Sequence, residues 1–221
     1  MAIGTSTHID GLNVMTATWY FVFAELMIFL SPSSFLASIE GDMKSGRYVS
    51  FITKPFSYTG VMFAQGLGII SARLPVYLII TTTLCFFISG GLPENIIYAP
   101  LIVVAIFLSG IMQVIFYLVI GLLYLWTGET KNMGLVWNKL IFFFGGMMFP
   151  LDIYPKIIID IAKLTPFYSM IYLPVRMIFR TPETGDILAM FALQGFWILI
   201  FVAIAYITSR LLSRKLIVLG G

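Results

Sequence analysis

Polar positions along this chain fall in a few short clusters, and long apolar runs fill the space between them. The first apolar stretch covers 14–36, with SPSS at 31–34 breaking it and Glu25 in its middle. A second covers 58–89 and is interrupted by Arg73 and by Pro75, which can kink a helix; it reads either as a span over about 71–88 with 58–70 as an amphipathic lead-in, or as one long tilted helix. A third covers 96–126. A fourth covers 133–149 and closes on FFFGGMMFP; the last covers 187–207. A helix needs about 17–25 mainly apolar residues to cross the hydrocarbon of a bilayer. These runs are continuous, whereas barrel strands alternate every second residue. The pattern therefore predicts an all-α, polytopic transmembrane helix bundle with five spans, read as a single domain over 1–221.

Two segments do not fit simple spans. The first is PLDIYPKIIIDIAKLTPFYSMIYLPVRMIFRTP, residues 150–182, cut by prolines at 150, 155, 166, 174 and 182. Its pieces are too short to cross, and Asp152, Lys156, Asp160 and Lys163 hold the first part near water. Two short helices entering and leaving one face satisfy both facts, so 150–180 is expected to form a re-entrant helical hairpin. The second is EGDMKSGRYVSFITK, residues 40–54, the densest cluster of charge. Glu40, Lys44 and Arg47 are spaced i, i+4, i+7 and share a helical face, with Ile39 and Met43 on a neighbouring one. Pro55 ends the pattern. This predicts a short helix over 39–54 lying at the membrane surface. The plainer alternative is a solvated loop carrying a positive-inside signal.

Composition narrows the class. The 221 residues are 60% hydrophobic and 10% charged, too little charge for a soluble surface. The net charge of +3 is topological, since no basic stripe suggests nucleic acid. With five spans, the loops 37–57 and 127–132 and the C-terminal tail share one side. That side then holds Lys44, Arg47, Lys54, Lys131, Lys139, Arg210, Arg214 and Lys215, against Lys156, Lys163, Arg176 and Arg180 on the other. The richer side is expected to be cytoplasmic, which makes the 150–180 hairpin external. The polar start MAIGTSTHIDGLN lacks the basic opening of a signal peptide.

Candidate chemistry is sparse. Cys85 and His8 stand alone, so no disulfide framework or metal-ligand spacing is seen. Asp152 and Asp160 are separated by a proline and gather no base or metal partner, and there is no phosphate-binding loop. The reading is no catalytic residue, no cofactor and no metal. Glu25 is the oddity, because a carboxylate at membrane depth normally faces protein or a polar cavity. It either lines a path or pairs within the bundle, where Arg73 is a candidate partner. Glu25, Gln65, Gln113 and Gln194, with Thr81, Thr82 and Thr83, are the polar side chains available to line a path.

Taken together, the segments IEGDMKSGRYVSFITKPFSY (39–58), GGMMFPLDIYP (145–155), LTPFYSMIYLP (164–174) and the terminal Gly220–Gly221 resemble the ABC-2 type permeases. These are membrane subunits of one class of ATP-binding-cassette transporter, here of the kind whose ATPase is a separate polypeptide. The resemblance covers about residues 15–221. It implies six membrane helices, a cytosolic coupling helix after the second, and an external hairpin between the fifth and sixth. The family's first helix and its cytosolic interface helix are then expected to be missing here. It implies cytosolic ATPase subunits docking at Glu40, Asp42, Lys44 and Arg47, and a second permease copy or homologue forming a dimer. It also implies ATP-driven export of a hydrophobic or amphipathic compound across the plasma (inner) membrane, in contact with lipid. The competing reading is a non-ABC polytopic carrier or a structural membrane protein. A carrier would be expected to repeat its broken helices in both halves, and only one broken region is found.

Overall fold

The computed structural model describes residues 14–51, 54–178 and 180–219. The reading of the polar N-terminus and the Gly220–Gly221 pair lie outside the described residues. The described chain is helical throughout: α1 (Val14–Leu30), α2 (Ser33–Lys44), α3 (Tyr58–Ser89), α4 (Ala99–Thr127), α5 (Lys131–Phe144), α6 (Lys156–Lys163), α7 (Leu173–Arg176) and α8 (Thr184–Leu219). A π-helical turn, Tyr168–Tyr172, leads into α7.

Among the described residues four helices are long and apolar enough to cross a membrane, 15–44, 58–89, 95–127 and 184–211, and the bent pair Lys156–Lys163 with Tyr168–Arg176 would make a fifth if it crossed. The first runs past the SPSS break, because Pro32 sits just ahead of the first turn of α2, where its missing N–H leaves no gap. Arg73 reaches the backbone there, donating to the Ser31 carbonyl at 3.2 Å and to Ser34 Oγ at 3.4 Å. Arg73 is thus a clasp between α3 and the α1–α2 break, and the alternative partner for Glu25 falls away. Pro75 does not interrupt α3, which is continuous over 32 residues.

The first span is longer than the expected 14–36 and takes in Glu40, Asp42 and Lys44, and the span expected over 133–149 is not among the four. α5 has 14 residues, a rise of about 21 Å, and stops at Phe144. Gly146 takes φ +72°, a left-handed conformation that turns the chain out of the helix. Beyond it, α6 meets the stretch Tyr168–Arg176 at 90°, so the proline-cut region is a sharply bent pair of short helices.

The core is built on α4, which packs against α8, α2 and α3 and is buried along most of its length. Ile39 of α2 and Ile70 of α3 close down on Gly121 and Gly110 of α4. Polar contacts sort the connections into two ends. At one end Thr130 bonds Glu40, and Thr59 bonds Ser209. At the other, Trp19 bonds Ser89, Tyr20 bonds Gly146, and Thr181 bonds Asn95.

Candidate functional site

The charged segment 39–54 is not one helix. α2 ends at Lys44, Gly46 reverses the chain at φ +71°, and Arg47–Phe51 forms a 3-10 turn. The helical face expected to carry Glu40, Lys44 and Arg47 together is therefore split, with Arg47 beyond the helix. The physical reason is local: the Ser45–Gly46 dipeptide offers a left-handed turn that outweighs the charge periodicity.

Within this tip the acids and bases have different jobs. Glu40 holds Lys44 at 2.6 Å and accepts from the Thr130 hydroxyl at 2.6 Å, which ties α2 to the α4–α5 connection. Asp42 is 5% exposed; it pairs with Arg47 at 3.2 Å and accepts from the Tyr58 hydroxyl at 3.2 Å. Tyr58 is itself buried and is the first residue of α3. The two carboxylates thus fasten the tip to the bundle, and Lys44 and Arg47 face out. Val49, Lys54 and Phe56 are exposed beside them.

The four polar residues expected along a path are not brought together. Gln194 is buried and donates from Nε2 to the Ala105 carbonyl (3.1 Å), the Ser169 carbonyl (3.0 Å) and Ser109 Oγ (3.2 Å). Gln113 is buried and donates to the Met27 carbonyl at 3.4 Å. Gln65 and Glu25 lie exposed on the outsides of α3 and α1. Thr81 is buried and Thr83 exposed on α3.

A cleft of about 460 Å³ opens between α3 and α8 over the surface of α4. Ile115 and Leu118 of α4 line it with Phe63 of α3 and Val202 of α8. The end nearest the tip is polar: Ser57 and Arg210 line it, and Thr59 and Ser209 bond each other across it at 2.7 Å. The Arg210 guanidinium sits 5.0 Å from the centre of the Tyr206 ring, and among the described residues no carboxylate pairs with it. Sequence reading missed this site because its polar end comes from residues about 150 positions apart; the weak clue was hydroxyls at the start of the second apolar run and the end of the last. Among the described residues no three His, Cys, Asp or Glu side chains converge as a metal site would require.

A family model described as an ABC-2 family transporter protein matches residues 5–216. No curated protein and no solved structure matches the chain.

Proposed function

Since the chain belongs to the ABC-2 family of transporters, we propose that it is the permease subunit of an exporter that moves an amphipathic compound using ATP hydrolysed in a separate subunit. Members of the family are non-catalytic permeases, and the described chain is an all-helical, multi-pass bundle. In the proposed arrangement the tip, residues 44–51 and 54–56, faces the cytosol and receives the ATPase. Lys44, Arg47 and Lys54 meet acidic side chains there, and Val49 and Phe56 enter an apolar recess. The bent pair of short helices lies on the external side. Two permeases and two ATPases make the working unit in the plasma membrane.

One observation carries the reading: the first turn of α3 belongs to both the tip and the cleft. Tyr58 bonds Asp42 in the tip, and the next residue, Thr59, bonds Ser209 at the cleft's polar end. A push on the tip is delivered to a wall of the cleft with no intervening loop. The cleft fits an amphipath by its own chemistry, an anionic or polar head at Arg210 and Ser57 and an apolar body along Phe63, Ile115 and Val202. An ion would find little there to replace its water.

The test is reconstitution with the cognate ATPase in vesicles, with a panel of fluorescent amphipaths and hydrophilic solutes. ATP-dependent movement of an amphipath is expected. Arg47→Glu with Lys54→Glu is expected to remove amphipath-stimulated hydrolysis by weakening the docking. ATP-driven movement of a hydrophilic solute alone would overturn the substrate class, and full stimulation in the double variant would overturn the docking role.

A further inference from the structure

Two cavities meet at the end of the bundle that holds the bent pair of short helices. The first is a recess of about 30 Å³ walled by Arg176, Arg180, Thr181 and Asp186, with Met177 and Met190 on its apolar side. The second is an apolar cavity of about 140 Å³ among Trp19, Phe23, Leu78, Ile102 and Ile178, with Asn95 in its wall. They share a rim. Thr181 of the recess donates to Asn95 Oδ1 of the cavity at 3.1 Å. Met177 and Ile178, one on each side, are consecutive in the chain.

The recess is cationic. Arg176 and Arg180 share one turn, closed by the Arg180 N–H on the Arg176 carbonyl at 3.0 Å. The Arg176 guanidinium lies 5.9 Å from the centre of the Tyr172 ring, which helps to hold it in place. Its Nε is buried and has no hydrogen-bond partner among the described residues, and a buried donor left so is costly. Neither arginine is within ion-pair distance of a described carboxylate, Asp186 included. Glu183, in the same connection, is exposed and forms none of the walls. The walls therefore carry two positive charges and one negative. A water needs about 10–15 Å³ on this measure, so the recess admits a group of a few heavy atoms and not a whole ligand.

The cavity has the opposite chemistry. The Trp19 indole N–H is already bonded to Ser89 at 3.0 Å. An apolar cavity of about 150 Å³ stays dry and takes an apolar group of about the size of benzene. This one is also long. Asn95 belongs to the connection before α4, whereas Leu78 lies 11 positions before Ser89, the last residue of α3, a rise of about 16 Å. The cavity thus runs from the rim inward along the helices.

Resting on the proposal that the bent pair is external, we infer that the two cavities together bind one phospholipid of the outer leaflet. Its phosphodiester lies on Arg176 and Arg180, and one acyl chain lies in the cavity beneath the rim. The recess is too small for the chain and the cavity too apolar for the headgroup, so a molecule with both parts is required to fill them. A phosphate oxygen on the Nε edge gives Arg176 the acceptor it lacks, in the bidentate geometry a guanidinium favours. Asp186 then meets a headgroup ammonium, so an ethanolamine headgroup is preferred to a glycerol one. The bound lipid joins the bent pair to α8 through its head and to α1, α3 and α4 through its chain.

The test uses the full-length permease with its ATPase in lipid nanodiscs. The probe is phosphatidylethanolamine with a diazirine on one acyl chain, and labelled residues are mapped by mass spectrometry. Leu78, Ile102 and Ile178 are expected to label well above the exposed Ile79 and Phe87. Arg176→Gln with Arg180→Gln is expected to lower that labelling at least tenfold. Ile102→Phe, which narrows the cavity, is expected to lower it with both arginines intact. Unlabelled phosphatidylethanolamine is expected to compete better than phosphatidylglycerol, an advantage lost in Asp186→Asn. Diacylglycerol and inorganic phosphate are not expected to compete. Even labelling of cavity and exposed faces, indifferent to the arginines, would mean boundary lipid only and would overturn the inference. Competition by inorganic phosphate would make the recess a plain anion site, and displacement of the probe by a transported amphipath on ATP addition would make it a cargo exit; either overturns the lipid assignment. A Lys156→Cys chain in a Cys85→Ser background separates the two readings. Specific cavity labelling in the wild type, with that cysteine reacting only from the cytosol, overturns the orientation and leaves the lipid site standing in the other leaflet. Reaction from outside with no cavity labelling overturns the lipid site alone.

Discussion

The fastening of the tip to α3 can be measured directly through Asp42 and Tyr58. Both are buried, 5% and 6% exposed, and joined at 3.2 Å. A hydrogen bond to a charged acceptor contributes about 1.5–3 kcal/mol, and a buried polar group left without its partner costs about 1–3 kcal/mol. The Arg47 arm adds little, because its side chain is 71% exposed and water screens the pair. Tyr58→Phe removes the donor but leaves Asp42 its pair with Arg47, so a loss of about 1–2 kcal/mol is expected. Asp42→Ala strands the buried phenol, and a loss of about 2–3 kcal/mol is expected. The double variant has no stranded group and is expected to lie close to Asp42→Ala alone, which gives a coupling of about 1 kcal/mol or more. The assay is reversible unfolding of the purified permease in mixed micelles titrated with SDS and followed by tryptophan fluorescence. Amphipath-stimulated hydrolysis by the ATPase is measured in parallel and is expected to fall in all three variants. Losses that add within about 0.3 kcal/mol would refute the claim that these two side chains act as one fastening.

Gln194→Leu is expected to destabilise the bundle by about 1–3 kcal/mol in the same titration, with substrate preference unchanged; normal stability with altered preference would instead make Gln194 a path residue. Cysteines replacing Lys156 and Arg180, both exposed, are expected to react with an impermeant thiol reagent on intact cells in a Cys85→Ser background, and one replacing Arg47 only after permeabilisation. Labelling of Lys156→Cys and Arg180→Cys from opposite sides would mean that the bent segment crosses the membrane.

Much of the bundle was legible because membrane helices announce themselves by length: α3, α4 and α8 each hold an apolar run long enough to cross, α3 even with Arg73 and Pro75 inside it. The stop of α5 at Phe144 and the split of the tip at Gly46 were not, since each depends on a glycine taking a left-handed conformation that composition allows but does not require. The role of Arg73 was hidden for another reason. Whether it meets Glu25 or the Ser31 carbonyl depends on the register of α3 against α1, and apolar helices carry few marks of register. The cleft was least legible, because Thr59 and Ser209 become neighbours only through tertiary packing.

Gln194 shows how a polar residue in an apolar run can serve the backbone of a neighbouring segment. Proline cutting makes 150–182 unable to hold a regular helix, so its backbone groups at depth require partners from elsewhere. The π-helical turn Tyr168–Tyr172 lies in the buried part of that segment. Its Ser169 carbonyl accepts from Gln194 of α8, and its Met170 carbonyl accepts from Ser109 of α4 at 2.6 Å. Gln194 also reaches Ser109 itself and the Ala105 carbonyl of α4. One small network therefore satisfies the broken backbone and staples it to the two helices that pack most closely on each other. The same low dielectric that makes an unpaired carbonyl costly strengthens each of these bonds. A polar side chain in a membrane helix is then expected wherever a neighbouring segment is irregular, and its position in the sequence points to the break it repairs as much as to any cargo.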